Sequence, residues 1–214
     1  MKLIQKTEVQ RPTIWGGLLI FLLLAALGTA LVFGLYPFLA QNAPLPRTEL
    51  IIIEGWLEDA QLVAVLSDVE SNMLFVATGG PIKFGASLLE EATYAEATAA
   101  RLLKLGVSPQ RIVTAPAPDT ATDRTYVAAL AARRALEEQG FFGRPANLYT
   151  LGAHSRRSFL LYRLVFGPEA PLGVVALECE QHNLRRWWKN SLAFKHVMTE
   201  LASWIYVQCT RWKY

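Results

Sequence analysis

Apolar residues fall into three different patterns along this chain. From residue 14 to 36 they run with no charged residue, about 23 positions dense in Leu, Phe, Ala and Gly. A helix rises about 1.5 Å per residue, so this stretch can cross the roughly 30 Å hydrocarbon core of a bilayer. It exceeds the ~7–15 residues of a signal peptide's apolar region, so an uncleaved anchor is expected. Trp15 and Tyr36 mark its ends, as amphipathic rings do at membrane interfaces.

Further on, the pattern changes to short apolar runs: residues 50–53 (LIII), 73–77 (MLFVA), 111–115 (RIVTA), 148–151 (LYTL) and Leu172–Leu177 (LGVVAL). The first, residues 50–53, is a continuous β-branched run, the mark of a strand buried on both faces, and the others read as further strands. Between them the spacing becomes helical. Residues 58–70 carry Leu62, Val65, Leu66 and Val69 on one face. A helix over 90–105 closes at Gly106, and one over 124–139 starts behind Asp123 as N-cap. A fourth follows the 148–151 strand. The alternation predicts an α/β domain: a mostly parallel, five-stranded sheet with helices on both faces and right-handed crossovers, preceded by one transmembrane helix.

The third pattern is the tail. Beyond Leu184, the positions Trp188, Leu192, Val197, Leu201, Trp204 and Ile205 predict roughly one apolar helical face. The chain therefore divides into a cytoplasmic tail (1–12), a transmembrane helix (13–37), a linker (38–48) and an α/β domain (49–214). Within the linker, the segment QNAPLPR is expected to be extended and stiff because of its two prolines.

Charge fixes the expected orientation. Lys2, Lys6 and Arg11 precede the apolar stretch, and the next positive residue is Arg47. The positive-inside rule puts the N-terminus in the cytoplasm and the domain on the extracytoplasmic side of a cytoplasmic membrane, crossed once. The 214 residues suffice for one domain and an anchor, and a formal net charge of +3 is too weak to argue for a nucleic-acid partner. Basic residues gather late, at Arg185, Arg186, Lys189, Lys195, Arg211 and Lys213. The RRWWK segment reads either as a helix start with one tryptophan inside or as a lip touching lipid headgroups. Cys179 and Cys209 read either as a disulfide or as two buried thiols, and no Cys/His cluster predicts a metal site.

Loops that follow parallel strands open on one edge, where ligands of such folds bind. Collected there are Glu54, Gly79 and Gly80, the segment Thr122-Asp123-Arg124-Thr125, and His154 with Arg156 and Arg157. Arginine forks hold phosphate or carboxylate bidentately, a glycine pair lets a ligand approach backbone, and helix starts favour anions. The expected partners are thus the lipid bilayer and an anionic, phosphorylated or lipid-linked small molecule. Glu54 and His154 are the candidates for proton transfer. No GxGxxG or P-loop spacing identifies a cofactor, and GAHSR is not a G-x-S-x-G elbow.

Four segments in this order, TGGP (78–81), LLKLGV (102–107), TDRTYVAA (122–129) and LGAHSRRSFLL (151–161), resemble the SanA/YdcF/ElyC-like family, a bacterial envelope domain of unknown function. The resemblance spans residues 50–176. It implies a Rossmann-like fold, a role near envelope integrity, peptidoglycan precursors or lipid carriers, and for one member S-adenosylmethionine binding. It singles out Gly79, Gly80, Thr122, Thr125, Tyr126, His154 and Arg157. Ala128 and Tyr94 stand where many members carry asparagine and glutamate, and around Gln61-Leu62 an arginine has no counterpart. These departures favour an alternative in which the protein is a non-enzymatic envelope assembly factor with a vestigial cleft.

Overall fold

A computed structural model describes residues 11–70, 72–83, 91–179 and 183–210. The first ten residues, residue 90 of the helix expected over 90–105, and Arg211 and Lys213 lie outside the described residues. Helix α1 covers Ile14–Leu39, 26 residues, and is long and apolar enough to span a membrane. The chain divides into two compact units between Leu35 and Tyr36.

The second unit is a mixed α/β domain. Its strands are β1 (Leu50–Glu54), β2 (Leu74–Gly79), β3 (Ile112–Pro116), β4 (Ala146–Leu151) and β5 (Leu172–Leu177). Helices α2 (Asp59–Asp68), α3 (Tyr94–Lys104), α4 (Arg124–Glu138) and α5 (Ser155–Phe166) connect them, and α6 (Ser191–Thr210) closes the domain. All five strands are parallel, in the order β3-β2-β1-β4-β5. The order reverses between β1 and β4, so loops diverge there and leave a crevice at the strands' carboxyl ends.

Each face of the sheet has its own core. Leu50, Ile52, Val76 and Leu148 pack with α4 (Ala129, Ala132, Leu136) and α5 (Tyr162, Val165, Phe166). Ile51, Ile53, Phe75 and Tyr149 pack with α2 (Leu62, Val65) and α3 (Leu102). All five residues of β1 are buried, which is why its sequence shows no alternation. β3, at one edge, does alternate buried and exposed positions.

The stretch expected as a linker is docked instead. Ala43 forms an antiparallel bridge with Val174, its N–H donating at 2.8 Å and its carbonyl accepting at 3.1 Å. Asn42 accepts from the Ala176 N–H, and the Asn147 carboxamide accepts from Leu45 N–H at 2.9 Å and donates to its carbonyl at 3.1 Å. β5 would otherwise leave a row of unpaired backbone groups at the sheet edge, and this segment covers them. Asp123 stands at the N-cap of α4, as expected, but in a left-handed conformation (φ 56°) and without a side-chain capping bond.

The tail differs from its predicted stripe. Residues Leu184–Lys189 form a 3-10 segment, Asn190 is extended, and its side chain accepts from Leu192 and Ala193 N–H to start α6. The buried positions of α6 are Ala193, Val197, Glu200 and Val207, whereas Leu192 and Ile205 are exposed. Of the expected positions Val197 is buried and Trp188, Leu201 and Trp204 are half-buried, while Ala193 and one acid, Glu200, complete the packed face. Cys179 and Cys209 are both free thiols.

Candidate functional site

β1 delivers Glu54 to the crevice floor. Gly55 must follow, because a Cβ there would lie 2.5 Å from the Thr78 carbonyl and 2.6 Å from that of Tyr94. The turn is then fixed by α3: Thr98 Oγ1 donates to the Gly55 carbonyl at 2.9 Å, and Arg101 reaches the carbonyls of Gly55 and Leu57 at 3.0 and 2.6 Å. Glu54 is 3 % exposed. The Thr150 hydroxyl donates to one of its oxygens and the Ser158 hydroxyl to the other at 2.9 Å. Its carboxylate is thus placed by three elements at once, β1, β4 and α5.

β4 delivers His154. The strand ends at Leu151, Gly152 takes a positive φ of 37°, and a 3-10 turn over Gly152–His154 leads into α5. A Cβ on Gly152 would meet Leu184 at 2.9 Å and the Tyr36 hydroxyl at 3.2 Å. His154 is 7 % exposed and edge-on to Trp56, with ring centroids 5.1 Å apart. Its Nε2 lies 3.6 Å from Glu54 and has no hydrogen-bond partner, while its Nδ1 lies 3.0 Å from Glu200 Oε1. Arg157, one turn on in α5, donates to Glu200 through Nε at 2.9 Å and Nη2 at 3.3 Å, and approaches Thr125 Oγ1 at 3.4 Å. The result is a buried chain of alternating charge, Glu54, His154, Glu200, Arg157.

Electrostatics follow from that chain. Burial pushes the His154 pKa down, but the carboxylates of Glu54 and Glu200 on either side more than reverse this and raise it to about 9. Burial pushes Glu200 up, and the His154 charge, its hydrogen bond and Arg157 overcome it, pulling the pKa to about 2. Glu54 is likewise held below the ordinary carboxylate range, since His154, Thr150 and Ser158 outweigh its burial. The imidazole is therefore an imidazolium at neutral pH. Nδ1 is shared between Glu200 Oε1 and Arg157 Nη2, the latter 2.9 Å away, while Nε2 is shut off from solvent and faces the Glu54 carboxylate. A ring held protonated suits charge pairing far better than general-base work, which needs a pKa near working pH.

Above this floor lies a cavity of about 790 Å³, within the usual range of ~300–1,000 Å³ for small-molecule sites. Of the residues expected from the sequence, Glu54, Gly79, Gly80, Thr122, Asp123, Arg124, Thr125, His154 and Arg157 all line it. Arg156 does not. Its Nε donates to the Phe38 carbonyl and its guanidinium lies 4.1 Å from the centre of the Phe38 ring. Two adjacent residues on a helix point about 100° apart, so one of the two arginines had to turn away.

The glycine pair has a structural cause on one side only. A Cβ on Gly79 (φ 148°) would come within 2.7 Å of Tyr94 Cβ, so the approach of α3 requires glycine there. At Gly80 a Cβ would make ordinary contacts of 3.6 Å with the Ala117 and Pro118 carbonyls. Lys83 and Asp119 pair at 2.9 Å across the rim. With His154 protonated, Lys83, Arg124, His154 and Arg157 face Glu54, Asp119, Asp123 and Glu200 around the cavity, four charges of each sign. Any selectivity for anions is thus local, set by which groups are left to donate.

Glu200 is the principal site residue the sequence reading missed. It is the only acidic residue in α6, and it falls in register with Ala193, Val197 and Val207 on the buried face. A lone acid on such a face was the available signal, since buried acids are paired or functional. Among the described residues no group of three or more His, Cys, Asp or Glu is placed to hold a metal ion. No family model, curated protein or solved structure matches the chain.

Proposed function

We propose that this is a membrane-anchored bacterial envelope protein of the SanA/YdcF/ElyC-like type whose sheet-edge cavity binds an anionic, phosphorylated or lipid-linked ligand in cell-envelope or polysaccharide precursor metabolism. The observation that supports the reading is the gathering of Arg157, Arg124, Thr122 and Thr125 on one wall of the cavity, where Arg157 Nη1 reaches Thr125 Oγ1 at 3.4 Å. Guanidinium groups hold phosphate or carboxylate through paired N–H donors. The first turn of α4, with Thr125 and Arg124 on the same wall and no capping side chain, adds backbone donors and the positive end of the helix dipole.

Binding is favoured over proton-transfer chemistry. His154 is held protonated, and Glu54 already accepts two hydroxyls. One further observation supports the reading as a non-enzymatic assembly factor: Ala128 and Tyr94, two of the three departures from the family pattern, both line the cavity, so the family's amide and carboxylate are missing from its wall. The anchor places the domain outside the cytoplasm in this proposal, with the N-terminus inside.

The test uses the full chain in detergent micelles with orthophosphate and a short-chain alkyl phosphate. Saturating ligand at ~100 times Kd stabilises by about 2.7 kcal/mol, which raises Tm by roughly 5–10 °C for a chain of this size. His154→Ala and Arg124→Ala lose that rise. No shift with either phosphate in the native chain overturns the ligand reading. A reporter fused after Tyr214 is active only outside the cytoplasm; activity inside overturns the topology.

A further inference from the structure

The donors that best suit an anion are already in use. Arg157 presents Nε and Nη2 to the two oxygens of Glu200 at 2.9 and 3.3 Å, and His154 Nδ1 meets one of those oxygens at 3.0 Å. A guanidinium fork with an added imidazolium is the geometry by which proteins hold a free carboxylate or phosphate. Here the acid comes from the same chain, on the last helix. Thr125 Oγ1, in the first turn of α4, lies 3.4 Å from the third guanidinium nitrogen, so this cluster adjoins the helix start that lines the cavity.

Glu200 is carried by a helix set off from the preceding 3-10 segment by one extended residue. α6 starts after Asn190, whose backbone is extended (φ −137°, ψ 129°) between the 3-10 segment and the helix. Its buried face is made of Ala193, Val197 and Val207 besides Glu200, with Trp204 edge-on to Phe38 and Phe194 against Trp187. Its outward residues Phe194, Met198 and Ile205 are exposed. Ala202, Ser203 and Tyr206 of the same helix line the cavity, so displacing α6 would open that wall.

We propose that Glu200 is an internal stand-in for the ligand's charged group: the primary anion subsite is the Arg157–His154 pair, and an entering phosphate or carboxylate displaces the Glu200 carboxylate and so releases this tie between α6 and α5. This rests on the anionic-ligand reading and adds where the charge sits and what it must dislodge. An intramolecular competitor acts at a high effective concentration, so its removal raises affinity for the external anion.

Orthophosphate is titrated into the full chain in detergent micelles, followed by calorimetry. Glu200→Gln, which keeps the shape and removes the charge, binds orthophosphate about tenfold or more tighter than the native chain. Equal or weaker binding by Glu200→Gln, with the native chain still binding, overturns the stand-in and leaves the anionic-ligand reading intact. Binding by neither overturns both. A second measurement avoids any folding defect in the variant. A spin label on Cys209, exposed on α6, in a Cys179→Ser background that otherwise keeps the native site, gains mobility on adding orthophosphate. A spectrum unchanged at saturating orthophosphate overturns the displacement.

Discussion

The site has two halves that differ in how they are placed. Glu54, Thr150 and His154 stand at the ends of β1 and β4, where the reversal of strand order opens a crevice, and Arg157 follows one turn into α5. Their positions follow from the sheet itself. Glu200 comes from α6, about 40 residues later in the chain, and reaches His154 only because the tail helix docks over the crevice. The first half is enclosed and anchored by the hydroxyls on Glu54, although His154 Nε2 makes no hydrogen bond of its own. The second is one acid, paired with both Arg157 and His154, on a helix whose other buried residues are Ala193, Val197 and Val207. Topology therefore fixes the floor of the cavity, and one ion cluster closes its far wall.

The largest expected effect is on the floor. Glu54→Ala leaves the hydroxyls of Thr150 and Ser158 and the charge of His154 uncompensated in the interior, at a cost of about 3–5 kcal/mol; denaturant unfolding of the full chain in micelles measures it. A loss below about 1 kcal/mol would mean that the floor is not the anchored half. Next comes pH. His154 has a folded pKa of about 9 against an ordinary value near 6.5, so its contribution is complete below pH 6.5 and is lost as pH rises through about 9. Glu200 at about 2, against about 4.5, contributes fully above pH 4.5 and loses it as pH falls through about 2. Stability should then peak on a plateau between about pH 4.5 and 6.5 and fall by on the order of 3 kcal/mol towards pH 9. The groups facing the imidazole are Glu54, Glu200, Arg157 and the ring of Trp56.

A smaller contrast separates glycines at the same edge. Gly55→Ala drives a methyl into two backbone carbonyls and costs about 1–3 kcal/mol, while Gly80→Ala, with only ordinary contacts, costs under about 0.5 kcal/mol. Thermal unfolding of both variants tests whether the two-sided approach of α3 is what the turn demands. The smallest effect belongs to Arg156→Ala. It removes the stacking on Phe38, worth about 0.5–1 kcal/mol, and leaves any phosphate-induced Tm rise unchanged. A loss of that rise would show that Arg156 serves the cavity after all.

Most of the first half was legible. Short apolar runs locate β1, β4 and β5, the alternation of strands with helices dictates parallel pairing, and parallel pairing gathers the strand-end loops. Glu54, His154 and Arg157 could be named on those grounds alone. Arg156 could not be separated from Arg157 without the rotation of α5, which sequence spacing gives only relative to an unknown buried face. The segment over 38–48 was hard to place because nothing in QNAPLPR shows that Asn147, over a hundred residues later, will bind its backbone. The tail misled for a physical reason. Large apolar side chains usually mark a packed face, but where a helix lies over a polar crevice its close-packed positions are small. Val197, a position of the expected stripe, does pack, but Ala193 and Glu200 share its face in place of Leu192 and Ile205.

The meeting point of the two halves is the imidazole of His154, and its protonation tests the account most directly. Nuclear magnetic resonance of ¹⁵N-histidine-labelled full chain in micelles, with a His154→Gln variant to assign the signal among the three histidines, follows the ring from pH 5 to 10. A ring clamped between Glu54 and Glu200 stays protonated on both nitrogens at pH 7 and titrates near 9. A His154 that titrates at or below its ordinary value near 6.5 would contradict the buried ion chain and the proposals built on it.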